Sequence, residues 1–153
     1  MIVVEAGDPF HPQAKALLEA SHALMGELFP AEANHYLSLD ALTADDVHFF
    51  TARRGDTIVG VGALAVKNGY GELKSMFVEE ASRGQGIVDA ILRQLEDHAR
   101  GLDLPMLRLE TGSLLHAAHK VYARHGFTKC SPFGDYEAGE FSVFMEKPLE
   151  VQG

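Results

Sequence analysis

The stretch Val78-Glu79-Glu80-Ala81-Ser82-Arg83-Gly84-Gln85-Gly86-Ile87 decides how this chain is read. An apolar strand ends at Val78, a glycine-bearing loop follows, and an amphipathic helical pattern begins at once. Such a junction gathers the unpaired N–H groups of a first helical turn and the positive end of the helix dipole at one point. That point suits a phosphate. Gly84 and Gly86 let an anion approach the backbone where a Cβ would obstruct it, and Arg83 adds a cation. Glycine-rich strand-to-helix turns also serve merely to redirect the chain, so on spacing alone both readings stand. The Gly-Lys-Ser/Thr ending of a Walker loop and the three-glycine dinucleotide fingerprint are both missing.

Downstream, Ile87, Ile91, Leu92, Leu95 and Ala99 form one helical face, with Gly101 placed as its C-terminal cap. Met106–Thr111 reads as a strand, Leu115–His125 as a helix stopped by Gly126, and Phe127–Cys130 and Phe141–Glu146 as short strands. Upstream, Glu72–Val78 follows a turn at Asn68-Gly69, and Val47–Arg54 and Thr57–Val66 flank the turn Arg54-Gly55-Asp56. Ile2–Ala6 is a further strand. Ala16, Leu17, Ala20, Leu24 and Leu28 mark a helix that begins near Pro12 and stops before Pro30, and Pro30 to Asp40 is a loop or short helix. The strands from Val47 to Val78 with Ile2–Ala6 fit an antiparallel meander. The fold class is therefore α/β or α+β: a mixed, mostly antiparallel sheet of about six to seven strands flanked by about four helices.

Composition bounds the rest. A chain of 153 residues, 46% hydrophobic and 23% charged, fits one domain, residues 1–153, with a core that needs no staple. Thirteen Lys and Arg against 22 Asp and Glu give a net charge of −9, which argues against nucleic-acid binding. Cys130 is the sole cysteine, so neither an internal disulfide nor a cysteine-based zinc site is open to it. No apolar run reaches the ~20 residues of a membrane span and no signal peptide is evident, so the expected location is the cytoplasm.

At Arg83-Gly84-Gln85-Gly86-Ile87-Val88 the sequence resembles the pyrophosphate loop, Arg/Gln-x-x-Gly-x-Gly/Ala, of the GNAT acyl-CoA N-acyltransferases. The resemblance extends back to Glu72-Leu73-Lys74-Ser75-Met76-Phe77-Val78. It extends forward to Leu107-Arg108-Leu109-Glu110-Thr111 and to Tyr122-Ala123-Arg124-His125-Gly126-Phe127, which looks like the family's Tyr-x-x-x-Gly-Phe signature. It covers about residues 47–149, and the chain looks most like the small bacterial YsnE-type members. Two positions depart from the pattern. Val88 stands where Gly or Ala is usual, and Leu115 stands where many members have an Asn that contacts coenzyme A.

The resemblance implies a GNAT fold and transfer of acetyl from acetyl-CoA to the amine of a small acceptor in a ternary complex, without a metal. The implied cofactor grip is Met76, Phe77 and Val78 along the pantetheine, with Arg83, Gly84, Gln85, Gly86, Ile87 and Val88 around the pyrophosphate. Glu72 is the implied base, with Glu110 as the rival carboxylate. The alternative for Glu72 is a solvated residue paired with Lys74, and for Glu110 a sheet-end ion pair with Arg108 or a lysine. Strand alternation places Glu72, Lys74, Met76 and Val78 on one face unless a bulge intervenes. The Val78 N–H is the implied oxyanion donor, and Tyr122 the implied acid at the coenzyme sulfur; the alternative for Tyr122 is plain core packing.

Asn34, His35 and Tyr36 are expected in the acceptor wall. In the loop Pro132-Phe133-Gly134-Asp135-Tyr136, Asp135 would hold a second cationic group on the acceptor, or else be solvated. His116 and His119 share a helix face but lack further ligands, and read as surface residues. Cys130 reads as inert packing. The competing reading of the whole chain is an acyl-CoA-binding module of the same fold without turnover, or an interaction protein that binds no coenzyme. A homodimer is a possible assembly.

Overall fold

The computed structural model describes residues 1–33 and 37–149. A seven-stranded sheet has the order β1-β2-β3-β4-β5-β7-β6. Its strands are β1 (Ile2–Ala6), β2 (Val47–Arg54), β3 (Thr57–Lys67), β4 (Tyr70–Val78), β5 (Met106–Gly112), β6 (Thr128–Lys129) and β7 (Ser142–Pro148). The first four form the expected antiparallel meander, and β4 and β5 are the parallel pair. The helices are α1 (Pro12–Leu28), α2 (Ile87–Gly101) and α3 (His116–Arg124). Between Pro30 and Asp40, where a loop or short helix was expected, the described residues hold a 3-10 turn at Ala31–Ala33, and further 3-10 turns lie at Ala41–Thr43 and Glu80–Ser82.

Seven consecutive residues of β3, Val59 to Ala65, are buried, because both sheet faces are covered. On one face, Phe50, Leu64, Leu73 and Val78 pack against Ile87, Ile91, Leu92, Leu95 and Ala99 of α2, the full apolar stripe read from the sequence. On the other face, Phe49, Val61 and Ala63 pack against Ala14, Leu17 and Leu18 of α1. The stripe of α1 is thus rotated from the expected one: Ala16 and Ala20 are exposed. Alanines offer little apolar area, so the leucines set which side of the helix turns inward.

The end of α2 also differs from expectation. Gly101 is the last helical residue, and the left-handed position after the helix is Asp103, with φ 58°. Leu104 N–H donates to the Ala99 carbonyl and Asp103 N–H to that of Arg100, both near 3.0 Å, so the motif closes without glycine at its turning point. Asp tolerates that conformation because its short side chain bonds locally. At α3 the expectation holds: Gly126, with φ 94°, ends the helix.

The sheet's main irregularity lies between β3 and β4. Val61 pairs with Phe77 and Ala63 with Lys74, so Ser75 and Met76 together oppose Gly62. This is a β-bulge, and Ser75 takes a left-handed φ of 57°. Gly62 makes it fit, since a Cβ there would lie 2.6 Å from Met76 Sδ and 2.7 Å from Ile91 Cγ2. Gly62→Ala is therefore expected to lower stability by ~1–3 kcal/mol in urea unfolding. Gly26→Ala, in α1 where a Cβ meets nothing within 4 Å, is expected to be neutral or to add up to ~1 kcal/mol.

Candidate active site

The bulge resets the alternation along β4. Leu73, Met76 and Val78 pack toward α2, whereas Phe77 packs toward α1. Glu72 and Lys74 therefore do not share a face with Met76 and Val78, and the bulge that would break the simple alternation is present. Pairing between β4 and β5 covers Gly71 to Leu73 and then stops, so the two strands part beyond Leu73 and Leu109. Glu79 N–H donates to the Val59 carbonyl on β3 at 2.9 Å. Alternation along the extended segment after the bulge directs Phe77 N–H the same way and the N–H groups of Met76 and Val78 into the gap.

That gap is a channel of about 150 Å³ lined by residues 73–76 of β4, residues 109–112 of β5, Leu115, Ala118 and Tyr122 of the α3 region, and Met25 and Phe29. Tyr122 is both a core residue, 7% exposed and edge-on to Phe127, and a channel wall. Burial pushes its phenol up to about 12, so it keeps its proton at neutral pH. The apolar side chain of Leu115 lines the channel where a polar contact had been expected to be missing.

The loop after β4 has the geometry its sequence suggested. Gly84 and Gly86 have φ of 78° and 79°, and open space lies where each Cβ would be. Gly86 is the N-cap of α2 and offers no side chain there, so the first-turn N–H groups stand uncovered by a cap. Arg83 is anchored by Nε donating to the Val78 carbonyl at 3.3 Å and lies 5.4 Å from the Phe77 ring centroid. Gln85 accepts from Arg54. The Ile87 side chain is buried in the core, leaving only its backbone for a ligand, and Val88 packs its side chain at the edge of the α2 cluster. Asp89, in the first turn of α2, binds Arg124 and His125 at 2.6 Å each, and those bonds hold its carboxyl below the usual range.

On the α1 side of the sheet lies a second, larger cavity of about 770 Å³. Its walls come from the ends of β3 and β4, from Pro30, Glu32 and Leu37, and from the loop between β6 and β7. Lys74 and Phe141 line both this cavity and the channel, so the two spaces meet there. Glu72 lines the large cavity and is 4% exposed, buried rather than solvated. Its Oε2 accepts from the Tyr136 hydroxyl at 2.5 Å and lies 3.3 Å from Lys74 Nζ, so the pairing with Lys74 is present inside the site. Lys74 Nζ also donates to the Tyr136 hydroxyl oxygen at 2.7 Å. Glu110 instead lines the channel and accepts from Ser142 Oγ at 2.8 Å. Arg108, its suggested partner, turns to Glu146 at 3.4 Å and stacks over Tyr70 at 4.8 Å.

Asp135 is exposed and lines the large cavity, whereas Asn34, His35 and Tyr36 lie outside the described residues. His119 Nε2 is 2.8 Å from the Gly112 carbonyl oxygen and packs against His116. Among the described residues no three His, Cys, Asp or Glu side chains gather as a metal site, and no helix is long and apolar enough to cross a membrane. Burial and Glu146 raise the Cys130 thiol above its ordinary range. Site-lining residues that escaped the sequence reading as candidates include Lys74, Tyr136, whose partner lies 64 positions away, and Ser75, which carries the bulge. A lone Tyr in a Pro- and Gly-containing loop gives no sign of such a partner.

Comparison with known proteins agrees with this geometry. The model of the acetyltransferase (GNAT) family matches residues 14–127. The chain is 40% identical over 150 residues to a protein of Azospirillum brasilense named IAA acetyltransferase, covering 97% of this chain and 98% of that one. It is 36% identical over 123 residues to the N-acetyltransferase YsnE of Bacillus subtilis, covering 78% and 82%. The crystal structure of a Klebsiella pneumoniae protein described as an acyl-CoA N-acyltransferase superposes with a TM-score of 0.82 at 32% identity, covering 98% and 99%. The chain belongs to the GNAT family of acetyltransferases, enzymes that take the acetyl group from acetyl-CoA.

Proposed function

We propose that residues 1–153 act as one catalytic domain that acetylates a small amine lodged in the 770 Å³ cavity, with Glu72 as general base. The observation that carries this reading is the meeting of the two spaces at Lys74. Acetyl-CoA, its pyrophosphate on the loop from Arg83 to Val88 and its pantetheine along Met76 to Val78, would bring the thioester down the channel. The amine would meet it from the other side. Of the two candidate carboxylates, Glu72 stands on the amine's side and Glu110 on the thioester's. The cavity's size is ordinary for a metabolite, and Glu32, Asp135 and Glu137 on its wall suit an acceptor carrying positive charge.

The chemistry follows from the placement. An amine with a pKa near ~10 is almost wholly ammonium at neutral pH, so Glu72, directly or through water, takes its proton. The freed lone pair attacks the thioester carbon and the carbonyl electrons move onto oxygen. The N–H groups of Val78 and Met76, directed into the gap, stabilise that oxyanion, a contribution of a few kcal/mol in a dry site. Collapse re-forms the carbonyl and breaks the C–S bond. The proton still carried by the acylated nitrogen passes through water to the departing sulfur, leaving the amide and the free thiol of coenzyme A. A phenol held near 12 is a weaker acid than a thiol at ~8.5, so Tyr122 donates a hydrogen bond to the departing thiolate rather than giving up its proton.

Glu72→Gln is expected to lower kcat/KM by ~10²-fold or more with acetyl-CoA affinity unchanged. The deficit should be greatest at acid pH and shrink toward the amine's own pKa, where the free amine no longer needs a base. A pH–rate profile unaltered by the substitution would remove Glu72 from the role. Gly86→Val places a β-branched residue at a left-handed position, and calorimetric titration should find acetyl-CoA bound ~10-fold or more weakly while circular dichroism retains the folded spectrum. Unchanged affinity would dissociate the loop from the phosphate.

A further inference from the structure

We propose that Tyr136 is a positioning residue for acetyl transfer: its hydroxyl, standing between the Lys74 ammonium and the Glu72 carboxylate, fixes that carboxylate as a proton acceptor at the wall of the acceptor cavity. The inference rests on the reading of Glu72 as base and adds to it a residue from a distant loop. The distances set the direction of each bond. An ammonium has protons only to give, so Lys74 Nζ donates to the phenol oxygen at 2.7 Å. The phenol proton is then left for Glu72 Oε2, 2.5 Å away, the short separation expected of O–H···O⁻. Desolvation and Glu72 both raise the phenol well above its ordinary range, so Tyr136 stays a donor across the working pH.

The loop's packing makes this contact a fixed one. Phe133 is buried and meets the rings of Tyr70, Tyr136 and Phe144 edge-on at centroid distances of 5.3–5.7 Å. Tyr136 also packs against Phe144 at 5.6 Å. The ring is therefore held by aromatic neighbours, and its hydroxyl reaches across to β4. The charged and titratable groups around Glu72 and its partner phenol are Lys74 and Tyr70 on its own strand, Tyr136 and Asp135 on the loop, and Arg108 and Glu110 on β5. Of these, Tyr136 donates to it at the shortest distance. Unlike a lysine placed there, the phenol orients the carboxylate without adding charge that would repel an arriving ammonium.

The test uses the whole protein, first without ligands. Proton NMR of protein carrying 13C-labelled tyrosine should show one hydroxyl proton far downfield and slow to exchange with water. Tyr136→Phe should delete it and so assign it. Glu72→Gln, which replaces a charged acceptor by a neutral one, should move it upfield and speed its exchange at least tenfold. A Tyr136 hydroxyl that exchanges like an exposed tyrosine's, or that ignores Glu72→Gln, would overturn the inference. The second readout is turnover of acetyl-CoA with small primary amines in a double-mutant cycle. Tyr136→Phe should lower kcat about tenfold with KM for acetyl-CoA unchanged, and cost nothing further once Glu72→Gln is present. An equal loss in both backgrounds would show that Tyr136 works apart from Glu72. A Glu72→Gln variant with full turnover would instead refute the base itself, while the NMR signal would still report on the bond.

Discussion

Between β4 and β5, parallel pairing lasts for three residues, Gly71 to Leu73, and the site depends on its stopping there. A bulge on the other edge of β4 gives the strand one residue more than its partner and holds Ser75 in a conformation that costs a non-glycine residue ~1–2 kcal/mol. The sheet as a whole sustains that cost: both faces are buried, and Gly62 leaves the space into which Met76 turns. The parted strands leave backbone donors facing a cleft in a region otherwise closed by packing. A regular ladder at this point would satisfy those donors and close the channel.

From that opening the division of the site follows. The channel runs between the parted ends of β4 and β5, walled by α3 and by Met25 and Phe29 at the end of α1. The larger cavity lies between the sheet and the loop before β7, and Lys74 lines both. Two carboxylates on adjacent strands are thereby given different surroundings. Glu110 faces the channel and takes a hydrogen bond from Ser142, while Glu72 faces the larger cavity between a phenol and an ammonium. Burying a carboxylate without partners would be prohibitive. Glu72 is kept buried by neighbours drawn from its own strand and from a loop on the other side of β5 and β7.

The parts of this arrangement that were legible in the sequence are those that local chemistry dictates. The meander follows from short β-branched runs between Gly- and Asn-bearing turns, and α2 from the spacing of Ile87, Ile91, Leu92, Leu95 and Ala99. The loop from Arg83 to Val88 was legible because its requirement, positive φ without side chains at Gly84 and Gly86, is met by a residue type. Asp103 was missed at the end of α2 because Asp enters the left-handed region less often than the neighbouring Gly101 suggests. The bulge has no signature in Lys74-Ser75-Met76; it arises from register between strands, which no single strand encodes. The bond between Tyr136 and Glu72 spans 64 residues and depends on where β7 carries its loop. Likewise, alanine periodicity misplaced the face of α1 because small side chains count in a pattern but contribute little to burial.

The central claim is that acetyl-CoA lies in the cleft opened by the β4 bulge, with its phosphates on the loop from Arg83 to Val88. The most direct measurement is a titration of 15N-labelled protein with acetyl-CoA, following every backbone amide. The account predicts that the largest shifts fall on residues 74–78 and 84–88, with those of β1 nearly still. Saturation with acetyl-CoA that leaves the amides of Met76 and Val78 unmoved would contradict it.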